Sequence, residues 1–256
     1  MRDTIILGQI GLSFHKAAGA VIAAQLERLG HNVLLREAPH EDMFRMLGEG
    51  EVDLVCSAWL PDSHGAYIAP FEDELTKLGV IYRPYCIWGI PDSAPAEIAS
   101  VTDLAEPEIA ALFRKRIQGI NPGAGISRFS RQMVADYGLS DLGFHFENGT
   151  VEDCTGAALD AVDKGELAVV PLWHPQWLHQ ELDLRELDDP LGLLGGQDDA
   201  TLVLRRDAVP KLNGEGLAYL QTVNLGNDAV SQLDHLVCRE GRSFTDAAQA
   251  WLGNNS

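Results

Sequence analysis

"VDLVCSAWLPDSHGAY" (residues 52–67) decides how this chain is read. Its first half is a continuous apolar run through Leu54-Val55-Cys56, the pattern of a short strand buried on both faces. The run ends on the indole of Trp59. Pro61 then turns the chain, and His64 follows across the turn. An aromatic at a strand's end, followed by a polar turn, suits a cleft better than a core.

Upstream, "TIILGQI" (4–10) is a second apolar strand, and "HKAAGAVIAAQLERLG" (15–30) is a helix closed by a glycine. "HNVLLREA" (31–38) reads as a strand and "HEDMFRMLGEG" (40–50) as a helix. The order βαβαβ favours a parallel sheet with helices on both faces. Downstream, residues 62–79 read as turn plus helix, and "VIYRPYCIWGIP" (80–91) is extended.

A second alternating set follows. "SVTDLAEPEIAALFRKR" (100–116) is largely helical, "IQGIN" (117–121) a strand, "GISRFSRQMVADYG" (125–138) a helix and "LGFHFEN" (142–148) a strand. "VEDCTGAALDAVDKG" (151–165) is a helix and "ELAVVPLW" (166–173) a buried strand. After the glycine-rich "GLLGGQ" comes the strand-like "DATLVLRRD" (199–207), then helices to the end. Two βα sets with a returning strand predict two lobes. Residues 1–87 with 200–256 would form one and 88–199 the other, with crossings near 86–92 and 198–202. Open α/β sheets hold ligands beyond the carboxyl ends of their strands, where Gly11-Leu12-Ser13, Trp59 to His64, Pro122 to Gly125 and Trp173 fall.

Composition excludes several function classes. The chain has 256 residues, 38 acidic against 19 basic, for a net charge of −19. Such a surface repels nucleic-acid phosphates, so no nucleic-acid partner is expected. No run approaches the roughly 18 apolar residues of a membrane span. The start, "MRDTIILGQI", lacks the features of a secretory signal, so the expectation is either a cytoplasmic protein or a mature form given a new Met1. Four cysteines without C-x-x-C spacing suggest free thiols rather than a zinc site or a disulfide framework. No metal and no cofactor are expected.

Two tryptophan turns, "AWLPDSH" and "LWHPQW", each follow an apolar strand and carry a nearby proline. An indole face attracts a cation, worth about 2 kcal/mol or more when desolvated. Trp59 and Trp173 thus suit a methylated ammonium, which has no hydrogen bond to donate; the alternative for each is a place in the core, as expected for Trp88 and Trp177. In "GINPGAGISRFS" (119–130) a strand meets a glycine turn that opens a helix. The amides of Gly125 and Ile126 there suit a carboxylate, and His64 could donate to the same group. A merely structural βα turn is the competing reading. Catalysis by Cys154 or Cys56 has no supporting motif.

With these pieces in order, the chain resembles the substrate-binding proteins of ABC transporters for glycine betaine and related quaternary ammonium compounds. The resemblance rests on "VDLVCSAWLPDSHGAY", "GINPGAGI" and "AVVPLWHPQWLHQELDLRELDDP" followed by "TLVLRRD", over roughly residues 4 to 206. It implies an α/β, two-lobed type II periplasmic-binding-protein fold, each lobe a mixed, mostly parallel sheet flanked by helices, with ligand in the interlobe cleft. It further implies that Trp59 and Trp173 are walls of an aromatic cage, and that His64 with the amides of Gly125 and Ile126 holds the carboxylate.

Three departures stand out, the first being Gln176, where the family often has His. The family's third cage tryptophan, just after the first strand, is absent near Gly11, where Phe14 is the nearby aromatic. Cys154 sits where the family has small hydroxyl residues, which makes it a further candidate ligand residue. The expected function is capture of a small zwitterion for a membrane permease, by a monomer in the periplasm or at the cell surface. The alternatives are a cytoplasmic ligand sensor or scavenger and, further off, an enzyme using Cys154.

Overall fold

The computed structural model describes residues 4–254. The chain opens with β1 (Thr4–Ile10), α1 (Ser13–Arg28), β2 (Asn32–Ala38), α2 (His40–Gly48), β3 (Leu54–Leu60), α3 (Gly65–Ile68) and β4 (Leu75–Tyr82). It continues through β5 (Tyr85–Pro91), α4 (Pro107–Ala110), β6 (Arg116–Gln118), α5 (Gly125–Asp136), β7 (His145–Glu147), α6 (Val151–Asp163), β8 (Val170–His174) and β9 (Leu184–Glu186). It closes with β10 (Asp199–Arg205), α7 (Gly214–Thr222), α8 (Asn227–Cys238) and α9 (Phe244–Asn254). None of the described helices is long and apolar enough to cross a membrane.

The elements divide into two compact units. The first comprises Met1–Pro84, Pro175–Trp177 and Asp198–Ser256; the second comprises Tyr85–His174 and Leu178–Gln197.

In the first unit the sheet order is β2-β1-β3-β10-β4. The apolar run of residues 54–60 becomes the central β3, buried at every position. β1 pairs in parallel with β2 and β3, while β10 runs antiparallel to both β3 and β4. Helix α1 presses so closely on β1 that a Cβ on Gly19 would lie 2.4 Å from Gln9 Oε1. Asp53 enters β3 buried, and it accepts from Ile6 N–H (2.8 Å) and from Lys211 Nζ (2.8 and 2.9 Å). A buried carboxylate is tolerable only with such partners.

The second unit holds a three-stranded sheet, β8-β5-β9, and a two-stranded pair, β6-β7. β5 is antiparallel to β8 and β9, and β6 is parallel to β7. Trp88 sits at its core, fully buried, with Nε1 donating to Ser130 Oγ at 2.8 Å. Thr150 and Asp153 form a reciprocal capping box at the start of α6.

Two expectations need correction. The sheets are mixed, but parallel pairing does not dominate: the pairs of β10 and of β5 are antiparallel. The helix expected up to residue 79 ends early. A 3₁₀ turn over Ala69–Glu74 gives way to β4, because Leu75, Ile81 and Tyr82 bury themselves in the sheet beside β10.

Candidate functional site

The predicted site residues fall into two groups. Phe14, Trp59 and His64 belong to the first unit; Gly125, Ile126, Cys154 and Trp173 belong to the second.

In the first unit, Trp59 and His64 are locked together by the turn that separates them. His64 N–H donates to the Trp59 carbonyl (2.8 Å), and Trp59 N–H donates to His64 Nδ1 (2.9 Å). An Nδ1 that accepts carries no proton, so the neutral ring is the Nε2–H tautomer, with its donor on the far nitrogen. The turn itself is held by Asp198, whose carboxylate accepts from Asp62 N–H (2.8 Å) and Ser63 N–H (3.1 Å). Burial raises the Asp198 pKa above the ordinary range, and those hydrogen bonds pull the other way.

Trp59 Nε1 donates to Tyr82 Oη at 3.0 Å, and Tyr82 Oη lies 3.3 Å from Ser57 Oγ. The indole's single donor is therefore satisfied within the protein, and what it has left to offer is its π face. Rings surround it. Phe14 and His15 each lie 5.5 Å from Trp59 by centroid, and His64 lies at 6.0 Å. The layer continues through His64 to Phe44 (5.1 Å) and His40 (5.3 Å), and Phe44 stacks on Tyr67 at 5.3 Å with planes 8° apart. Trp59 retains 6% of its surface exposed and His64 1%.

In the second unit the glycine turn opens α5 without a side-chain cap. Ala124 is the N-cap residue in an extended conformation, and Gly125 and Ile126 begin the helix, both buried. The preceding carbonyls are held by guanidinium groups: Arg128 Nη1 donates to Gly123 O (2.6 Å) and Arg131 Nη2 to Pro122 O (3.2 Å). The turn is thus fixed from its carbonyl side while its amides start the helix, the arrangement that favours an anion.

Trp173 lies on β8 opposite Cys86 of β5 and is 2% exposed. Its carbonyl accepts from His179 Nε2 at 3.1 Å. His179 stacks on His174 at 3.7 Å, and His174 stacks on Tyr85 at 4.6 Å. Burial, then the neighbouring His174, lowers the His179 pKa to about 4. Cys154 is buried and donates to Pro171 O at 3.4 Å; burial pushes its thiol up to about 12. Such a group stays protonated and is no nucleophile. Cys154 supports β8, two residues before Trp173.

Sequence reasoning passed over Tyr82, Asp198, His15 and His179. Tyr82 and Asp198 act across the fold, 23 residues from Trp59 and 135 from Ser63 respectively, and no local pattern marks them. His15 adjoins Phe14, so its signal was in plain view. Trp177 is structural as expected: its N–H donates to buried Asp234 at 3.0 Å, and Arg239 lies 5.0 Å over its ring.

A family described as the substrate-binding domain of ABC-type glycine betaine transport systems matches residues 3–254. The chain is 24% identical over 151 residues to a glycine betaine/carnitine transport binding protein of Listeria monocytogenes. That alignment covers 59% of this chain and half the length of that relative. Among solved structures, a glycine betaine/L-proline-binding protein from Borrelia burgdorferi superposes with a TM-score of 0.87 at 21% identity, covering 99% of this chain and 94% of the other. A lactococcal protein in its closed form with glycine betaine gives a TM-score of 0.86 at 22% identity, covering 99% and 96%. At these identities the superpositions speak for the fold.

Proposed function

Because the chain belongs to the family of substrate-binding domains of ABC-type glycine betaine transport systems, a family of binding proteins and not of enzymes, we propose that it captures a small zwitterion bearing a quaternary ammonium or sulfonium group and presents it to a membrane permease. The observation that carries this reading is Trp59. The only polar atom of its side chain is bonded to Tyr82, and its ring is set among Phe14, His15 and His64. A trimethylammonium group cannot use a hydrogen-bond acceptor, but it gains from an aromatic face.

Trp173 is the second aromatic wall in this proposal. The N–H groups of Gly125 and Ile126 and, separately, the Nε2–H of His64 are each suited to a carboxylate, and Phe14 is proposed in place of the missing third tryptophan. The net charge of −19 favours a ligand with a cationic end over a simple anion. The proposed setting is the outer side of the membrane, and the proposed working form is a monomer.

A thermal-shift series tests the reading with glycine betaine, carnitine, choline, dimethylsulfoniopropionate and unmethylated glycine. A ligand that binds only the folded form at a hundredfold excess over Kd adds about 2.7 kcal/mol of stability. The expected result is a shift with the methylated compounds and none with glycine. No shift with any methylated compound, or full retention of the shift in both Trp59→Ala and Trp173→Ala, overturns it.

A further inference from the structure

The aromatic layer of the first unit contains a polar atom that the reading above does not use. His15 lies in the first turn of α1, 1% exposed, with its ring centroid 5.5 Å from Trp59 and 6.3 Å from His64. Its Nδ1 is buried without a hydrogen-bond partner among the described residues. Polar atoms of the neighbouring Trp59 and His64 do have partners: Trp59 Nε1 donates to Tyr82, and Trp59 N–H donates to His64 Nδ1. Burial, reinforced by the nearby His40, holds the His15 pKa well below its ordinary value, so the ring is neutral at neutral pH. A neutral imidazole costs nothing against a neighbouring cation, whereas an imidazolium would repel it. A buried polar atom that finds no partner in the protein is a standing penalty, one that a suitably placed ligand group removes.

We propose that His15 is a specificity-determining residue that selects hydroxylated quaternary ammonium compounds over their deoxy counterparts. A hydroxyl is the matching group because it satisfies either tautomer, donating to a bare Nδ1 or accepting from Nδ1–H. A methyl or methylene in the same place leaves Nδ1 unpaired. Sites built to bond a hydroxyl reject the analogue that lacks it more strongly than apolar pockets reject an added one. This inference rests on the proposed ligand class, since Trp59 must first bring an ammonium group alongside His15.

The test is calorimetric titration with two matched pairs: carnitine against 4-trimethylammoniobutyrate, and choline against ethyltrimethylammonium. Each is run on the unaltered protein, on His15→Leu and on His15→Asn, whose amide keeps a polar atom near the position of Nδ1. The unaltered protein is expected to favour the hydroxylated member of at least one pair by roughly tenfold or more, as for one hydrogen bond to a buried group. His15→Leu is expected to reduce that ratio to near one, and His15→Asn to keep part of the preference. Equal binding within both pairs by the unaltered protein overturns the role of His15 and leaves the ligand class standing. A preference undiminished in His15→Leu does the same. Failure of all four compounds and of glycine betaine to bind overturns the ligand class and this inference with it. The comparison on the unaltered protein needs no variant to fold, and His15→Asn serves if His15→Leu does not.

Discussion

The turn after β3 and the turn before α5 follow strands in much the same way, yet they are built from different materials. The first presents side chains: Trp59, His64 and the rings around them, positioned by Tyr82 and Asp198. The second presents main chain: Gly125 and Ile126 open a helix, with Arg128 and Arg131 holding the carbonyls behind them. Each suits the charge it is proposed to meet. A methylated cation offers only a diffuse positive surface, which an aromatic face accommodates; a carboxylate offers lone pairs, which N–H groups address one at a time. A side-chain site can therefore be removed by truncation. A main-chain site survives most substitutions and yields only to one that deletes an N–H.

The largest expected effect is on the side-chain turn. Trp59→Ala should cost about 3–5 kcal/mol of stability, because the ring is a core residue as well as a candidate wall. Trp59→Phe keeps most of the packing, so denaturant unfolding and ligand titration together separate the two roles. Binding unimpaired in Trp59→Phe and Trp59→Ala alike would break the comparison.

Acid should weaken the second unit through His179. The His179 pKa of about 4 lies below its unfolded value, so the unfolded chain binds the extra proton between about pH 6.5 and 4. Stability is accordingly full above pH 6.5 and falls as pH drops through that window, by at most about 3 kcal/mol from this group. Below pH 4 both states are protonated and this contribution to the slope vanishes. Thermal melts of His179→Gln across pH 4–7 should show a flatter profile than the unaltered chain, and an unchanged slope would remove His179 as the cause.

Gly125→Pro is the sharpest probe of the main-chain turn. Gly125 is the first helical residue, where proline is well tolerated, and Ala124 already has the extended φ −67°, ψ 144° that precedes proline comfortably. The fold should persist while one amide disappears. Binding of carboxylate-bearing ligands should weaken by about 1.5–3 kcal/mol, and binding of choline, which has no carboxylate, should change little. Equal losses for both ligands would show that the amide does not serve the carboxylate.

The smallest effect is expected at Asp198→Asn. One amide oxygen can replace only part of a carboxylate that accepts from two N–H groups, so the turn should loosen by about 1 kcal/mol. Amide exchange at Asp62 and Ser63, faster than in the unaltered chain, would register it.

Much of this was legible because it is local. The alternation of apolar runs with glycine-stopped helices located β1, α1, β2, α2 and β3 within a few residues, and the glycine turn marked the start of α5. Reading failed where tertiary packing outweighed local preference. Residues 75–79 look helical in isolation but are drawn into β4 by the open edge of β10, a strand 120 residues further on. Likewise the pattern around Cys154 left a reactive thiol open, and only its burial beneath β8 shows a group pinned in protonated form.

The sequence alone determined the alternating architecture, the two tryptophan turns and the glycine turn, because each depends on residue periodicity and turn chemistry within about a dozen positions. Only the tertiary structure decided that Tyr82 takes up the indole N–H, that Asp198 braces the turn before His64, and that His15 lies buried beside Trp59 with one nitrogen unmatched. Hydrogen bonding and burial are pairwise properties of groups brought together by folding, and a linear pattern carries no record of which distant partner each group will meet.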